Sequence, residues 1–174
     1  MSEGISFPKL RLPPIQAADL TATEWASVED KAILGNAILG FIAKGMPAQA
    51  WTQRLYSRVS NMWGFIAHYN HQCFGSLHFE TTEGRIRFLE QIVHASCPGS
   101  PRWTWCDVEA IIQRRVRDSM LVDAYRLQEK QETERSERAQ LDALMVKYSV
   151  IPTPSGFGSL LPTASDKREQ LSLI

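Results

Sequence analysis

Residues 67 to 78, AHYNHQCFGSLH, hold three of the four histidines of the chain and one of its three cysteines. Imidazole and thiolate are common zinc ligands. On one helix His68 and His71 would lie about 60° apart, because three residues turn about 300°. Such a pair could share an ion with Cys73 or His78. The spacing H-x2-H-x-C-x4-H lacks a C-x2-C pair, so we expect no metal site and no cofactor. A metal-dependent enzyme centred on His68 remains the second alternative function.

A trio suited to acid and base chemistry consists of His68, Asp107 and Glu109. General acid and base catalysis needs a carboxylate or imidazole that is held near the substrate with a shifted pKa. No G-x-S-x-G motif and no glycine-rich phosphate loop accompanies the trio. Asp107 also stands at the start of a predicted helix, where a carboxylate complements the helix dipole. The sequence therefore favours a cap, assigns no catalytic residue, and leaves open whether the trio forms a functional site.

Arginine is the only cation between residues 47 and 127, where nine arginines accompany seven carboxylates. Guanidinium groups bind phosphates bidentately and stack on aromatic rings. A nucleic acid could therefore lie on the cluster of Arg114, Arg115, Arg117, Trp103 and Trp105. The surplus of two positive charges is small, and salt bridges between helices would use the same side chains. Nucleic-acid binding is thus the first alternative function.

One face of the predicted second helix carries small and polar residues at spacings of three and four: Ser57, Asn61, Gly64, His68 and His71. Small side chains at this spacing let another helix or a ligand approach the backbone. The other interpretation is a solvent face that is short of long charged side chains. The sequence supports the two about equally, so this row is a candidate packing or binding face.

The best indication of a partner lies near the C-terminus. Residues 128–140 contain one apolar residue, Ala139, and a helix that is polar all round projects into water. Apolar residues then return at the i, i+3, i+4 and i+7 spacing of a helix that docks into a groove: Leu141, Leu144, Met145 and Tyr148. That groove belongs to the same molecule or to another chain. The following tail adds three candidate contacts: Phe157, Leu160 and Leu161.

Two helices are predicted in the first 70 residues, and the second of them carries the row of small and polar residues. The capping box Thr21-Ala-Thr-Glu24 predicts a first helix over about 22–44. Its second half is apolar almost all round, which is typical of the central helix of a bundle. Pro47 suits the first turn of a second helix over about 47–70. An apolar stripe runs along that helix at spacings of three and four: Trp51, Leu55, Val59, Met62, Ile66 and Tyr69.

The elements after residue 70 are predicted from helix-capping residues and from the positions of proline and glycine. A turn near Gly75 and a short extended piece at 77–79 are expected before a third helix over 82–95. Two prolines and a glycine require a loop over 97–103. A fourth helix follows, and the pattern leaves open whether 106–148 is one continuous helix.

The bulk composition limits the class of protein. The 174 residues are 44% hydrophobic and 22% charged, which is ordinary for a globular domain. Nineteen basic residues balance nineteen acidic ones, so no net field attracts nucleic acid or an anionic membrane. The longest apolar run, 32–43, is shorter than the roughly 20 residues that span a bilayer. With no secretory pattern at the N-terminus and three cysteines that cannot all pair within one chain, we predict a cytoplasmic protein without membrane contact.

Together these patterns predict a mainly α fold, a small four-helix bundle-like domain with a long charged C-terminal helix and flexible termini. Four segments are expected: an extended N-terminal arm (1–20), a helical domain (21–127), a charged projecting helix (128–149) and a disordered tail (150–174). The predicted function is a non-enzymatic interaction or adaptor protein. It would bind a protein partner, or another copy as a homo-oligomer, through the C-terminal helix and tail.

Overall fold

The computed structural model describes residues 4–97 and 99–149. Within these ranges the chain is helical and contains no strand, which confirms the predicted mainly α class. The chain divides into two compact units between Arg135 and Ser136. None of the helices in the described ranges is long and apolar enough to cross a membrane. The predicted tail, with Phe157, Leu160 and Leu161, lies outside the described residues.

Seven α-helices follow one another in the described part of the chain, joined by short loops and three 3-10 turns. The helices are α1 (Val28–Ala43), α2 (Gln53–Met62), α3 (Gly64–Ala67), α4 (His71–Phe79), α5 (Thr82–His94), α6 (Cys106–Asp118) and α7 (Leu121–Ser149). The 3-10 turns are Pro8–Arg11, Ala17–Asp19 and Ala48–Ala50.

Helix α1 is the central element of the first unit. Leu34, Ile38 and Leu39 are buried, and the helix packs against the N-terminal arm, α2 and α6. Each such side chain contributes about 1.5 to 3 kcal/mol through burial. The arm lies along α1, where the Asn36 side chain both donates to the Ile15 carbonyl (3.0 Å) and accepts from its amide (2.8 Å).

The predicted start of the first helix at residue 22 is wrong. Helix α1 begins at Val28, and the Ser27 hydroxyl caps it by accepting from the Asp30 amide at 3.0 Å. Ser27-Val-Glu-Asp30 has nearly the same form as the earlier capping box, and the chain uses this later signal. The Thr23 hydroxyl instead accepts from the Ala26 amide at 2.9 Å, closing a turn before the helix.

The predicted second helix over 47–70 is not continuous. It is interrupted at Trp63, whose backbone is extended (φ −112°, ψ 105°), and again before Asn70. The extended backbone lets the buried Trp63 ring pack edge to face with Phe88 at 6.5 Å. Asn70 then caps α4 by accepting from the Cys73 amide at 2.8 Å. Tertiary burial of Trp63 has thus overridden the helical period.

The predicted turn at Gly75 and extended piece at 77–79 are also wrong, because these residues belong to α4. A Cβ at Gly75 would lie 3.0 Å from Cδ1 of the buried Trp51. The glycine therefore serves close packing inside a helix. The third helix, predicted over 82–95, is confirmed as α5 (Thr82–His94).

Residues 106–148 do not form one continuous helix. Helix α6 ends at Asp118, Met120 adopts a left-handed conformation (φ 54°), and α7 begins at once at Leu121. The Ser119 hydroxyl donates to the Val116 carbonyl at 2.7 Å and satisfies one acceptor at the end of α6. The change of direction brings Val116 and Leu121 into the same core.

Candidate functional site

The four apolar residues predicted to bind a partner lie on α7 within the second unit. We call Leu141, Leu144, Met145 and Tyr148 the C-terminal stripe, and their side chains are 49 to 62% exposed. At 100° per residue they fall within an arc of about 100°. Val146 is 64% exposed but lies about 140° around the helix from Leu141. The stripe is therefore one narrow apolar face exposed to solvent.

The predicted nucleic-acid cluster is not brought together. Trp103 and Trp105 lie before α6, while the three arginines lie at least nine residues further on, about 14 Å along the helix axis. Arg115 donates to the Leu10 carbonyl at 3.3 Å, and burial, followed by repulsion from Arg114, lowers its pKa. Arg117 makes a long hydrogen bond to the Val93 carbonyl (3.5 Å), and Arg114 is exposed. Two of the three arginines are thus engaged with backbone carbonyls of other segments, and no ring contact or hydrogen bond within the described residues joins any of the three to Trp103 or Trp105.

The histidines of residues 67 to 78 have separate environments. His68 is exposed between α3 and α4. His71 Nε2 is hydrogen-bonded to the Trp51 carbonyl at 2.6 Å, and the two rings stack. His78 is buried with Nδ1 3.3 Å from the Gly84 carbonyl, and its pKa is lowered chiefly by burial. Within residues 4–97 and 99–149, no three His, Cys, Asp or Glu side chains cluster as a metal ion would need.

Asp107 belongs to a buried ion-pair node. The Lys31 side chain is fully buried, and its Nζ donates to both Asp107 carboxylate oxygens at 3.0 and 3.1 Å. The same ammonium donates to the carbonyls of Pro101 (2.9 Å) and Thr104 (3.0 Å). The Thr21 amide also donates to Asp107 at 2.9 Å. We call this the Lys31 node, and it ties α1, the loop before α6 and the chain before α1 together.

Glu109 is buried two residues after Asp107 on α6. Burial raises the pKa of its carboxyl, and interaction with the Cys97 thiol opposes that rise. The buried Trp63 indole N–H also lies near this carboxyl but outside normal hydrogen-bond geometry. Neither Glu109 nor Asp107 has His68 among its interactions in the described residues, so the expected trio is not assembled there.

The small-residue row is divided by the break at Trp63. Ser57 and Asn61 are exposed on α2, and Gly64 on α3 is open, with no atom within 4 Å of an added Cβ. His68 follows α3, and His71 begins α4 with its ring against Trp51. Because three helices carry these residues, they do not form the single helical face that the spacing predicted.

The sequence reasoning missed a cleft in the first unit. It has a volume of about 400 Å³ and is bordered by α1, α2 and the loops before α1 and α6. Trp25 lines it with a 74% exposed side chain, and its ring lies 6.4 Å from that of Trp103, which is 57% exposed. We call it the Trp25 cleft, and its lining is Trp25, Ala26, Asp30, Ile33, Leu34, Arg54, Arg58, Asn61 and Trp105. The sequence patterns placed Trp25 in the predicted first helix and Trp103 in the predicted loop over 97–103, and no spacing joined the two.

Comparison with known proteins adds no further constraint on function. No protein-family model matches the chain, and no curated protein and no solved structure shows a significant match.

Proposed function

We propose that this chain is a non-enzymatic interaction or adaptor protein. Its C-terminal stripe docks into an apolar groove of a protein partner or of a second copy of the chain. The observation that supports this proposal is the exposure of four large apolar side chains on one face of α7. The three cysteines, all unpaired among the described residues, are compatible with a reducing compartment, so we propose a cytoplasmic location.

The exposure of the stripe indicates how strong such docking can be. Full burial of a large apolar side chain is worth about 1.5 to 3 kcal/mol, and about half of each remains in water. Docking all four would recover roughly 3 to 6 kcal/mol. Lost translational and rotational freedom opposes association by about 4 to 15 kcal/mol. Burial of the stripe alone offsets this cost only in part, so apolar surface of the groove must be buried as well, and a weak and reversible complex is the expected result.

The test replaces Leu144 and Met145 by serine in the full chain. Self-association is measured by light scattering over a range of protein concentrations, and partner binding by affinity purification from the native cell. The double variant should lose the dimer or the captured partner. The helix should remain, because both side chains are exposed.

Val146→Ser is the matched control, since Val146 is equally exposed on another side of the same helix. It should bind as the unchanged chain does. Retention of binding by the double variant, or equal loss in both variants, would contradict docking through the stripe.

A further inference from the structure

The first unit carries a second apolar surface with a different composition. Trp25 and Trp103 touch through their rings, and Ile33 of α1 is 57% exposed beside Trp25 in the Trp25 cleft. Single exposed apolar side chains are normal, but contiguous apolar patches mark interaction sites. Tryptophan is also among the residues most enriched at binding hot spots. This patch is therefore suited to receive an apolar side chain.

The loops that present the two tryptophans are held in place. The Thr23 hydroxyl accepts from the amides of Trp25 (3.2 Å) and Ala26 (2.9 Å). The Ser100 carbonyl accepts from the Trp103 amide at 2.9 Å, and the Lys31 node holds the carbonyls on either side of this tryptophan. Groups that are already ordered lose little conformational entropy on binding. The patch is thus preorganised.

The part of the cleft that α2 contributes is positively charged. Arg54 and Arg58 lie one turn apart on α2 and both line the cleft. Arg58 donates to the Asp30 carbonyl at 3.3 Å, while neither arginine forms a salt bridge within the described residues. Asp30 is the one described carboxylate in the lining, and its Oδ2 accepts from the Ser27 hydroxyl at 3.0 Å. Guanidinium groups bind carboxylates through two parallel hydrogen bonds.

We propose that the Trp25 cleft binds an acidic, amphipathic segment of a protein partner. A large apolar side chain of that segment packs against Trp25 and Ile33. An aspartate or glutamate within about one helical turn of it pairs with Arg54 or Arg58. The proposal does not depend on the C-terminal stripe, because every residue of the cleft belongs to the first unit.

The composition of the cleft favours a protein segment over a nucleic acid. Its walls include aliphatic Ile33 and Leu34 together with a carboxylate, and the whole chain carries no net charge. Single strands are bound in positively charged grooves where successive bases stack on aromatic rings. The Trp25 and Trp103 rings are tilted by 57° to each other and so provide no parallel stacking platform.

The experiment selects displayed random 12-residue peptides on the full-length chain. Selected sequences should place Asp or Glu within four positions of a large apolar residue. Synthetic copies are then measured by fluorescence anisotropy against the unchanged chain, Trp25→Ala and Arg54→Glu. Each variant should weaken binding about tenfold or more, as expected for a hot-spot residue, and added salt should weaken it further.

Two controls separate this cleft from other effects. Arg114→Glu makes the same charge change on α6 and should bind normally. The Leu144→Ser, Met145→Ser variant should also bind normally, so failure of the C-terminal stripe proposal would leave this one standing. Four results would each overturn the cleft proposal: no enrichment, enriched peptides without acidic residues, affinity that Arg54→Glu does not change, or displacement of the peptides by oligo(dT).

Discussion

Replacing Asp107 by alanine should destabilise the protein more than replacing Lys31 by methionine. The Lys31 ammonium is fully buried, and without Asp107 it keeps two carbonyl acceptors but no opposite charge. Breaking a buried ion pair by removing one partner costs about 3 to 5 kcal/mol. Methionine at position 31 removes the charge and fills much of the same volume. Asp107, 11% exposed, would still accept from the Thr21 amide, so we expect a loss of about 1 to 3 kcal/mol.

The assay is urea unfolding followed by circular dichroism on both single variants and on the double variant. The double variant should be more stable than Asp107→Ala alone, because it removes the Lys31 charge that Asp107→Ala leaves buried without its partner. A coupling free energy of about 1 kcal/mol or more is expected for groups in direct contact. If Asp107→Ala is no worse than Lys31→Met, or if the two losses simply add, the Lys31 node does not act as a coupled ion pair and the reasoning is refuted.

Three further predictions concern stability. Burial raises the pKa of Glu109 above the usual 4.5, so the folded state binds the carboxyl proton more tightly than the unfolded chain does. The free energy of unfolding therefore falls as the pH rises from the pKa of the unfolded chain to that of the folded state. Glu109→Gln should remove that slope and raise the free energy of unfolding at pH 7, which urea titrations between pH 4 and 8 would measure. Gly84→Ala places a Cβ 2.4 Å from the Leu77 carbonyl oxygen, and because backbone must move, a loss of about 1 to 3 kcal/mol or more in thermal or urea unfolding is expected. Tyr125→Phe removes the acceptor of the Ile5 amide (2.9 Å), so the free energy of unfolding should fall by about 1 kcal/mol and exchange of that amide should quicken in NMR.

Local signals predicted much of the helical content. The third helix was expected over 82–95 and is observed at Thr82–His94, because its apolar period and threonine start act within the segment itself. The end of α1 near residue 44 follows from Gly45, whose φ of 80° suits glycine. These features depend on neighbours within a few residues, and such information is contained in a single sequence.

The errors arose where a distant contact decided the local structure. The period through residues 51–66 is helical, yet burial of Trp63 against Phe88 of α5 breaks the helix there. Lys31 lies in a charged stretch at the start of α1 and resembles a solvent residue, but its partners are 70 or more residues away. No periodicity connects residues at that separation, so the Lys31 node could not be predicted.

The two proposed surfaces differ in how far the sequence could predict them, because one depends on local spacing and the other on contacts between distant residues. The C-terminal stripe lies on one helix, so its spacing alone predicted that the four side chains share a face. In the structure these side chains are exposed, so no groove formed by the described residues of the second unit covers them. The Trp25 cleft draws on two loops and two helices, and the Lys31 node helps to hold the loop of Trp103 near that of Trp25, where the two rings also meet directly. Loosening the node should therefore weaken peptide binding at the cleft while leaving the stripe unchanged. Lys31→Met allows that comparison in one protein, because it perturbs the loops without altering a residue of either surface.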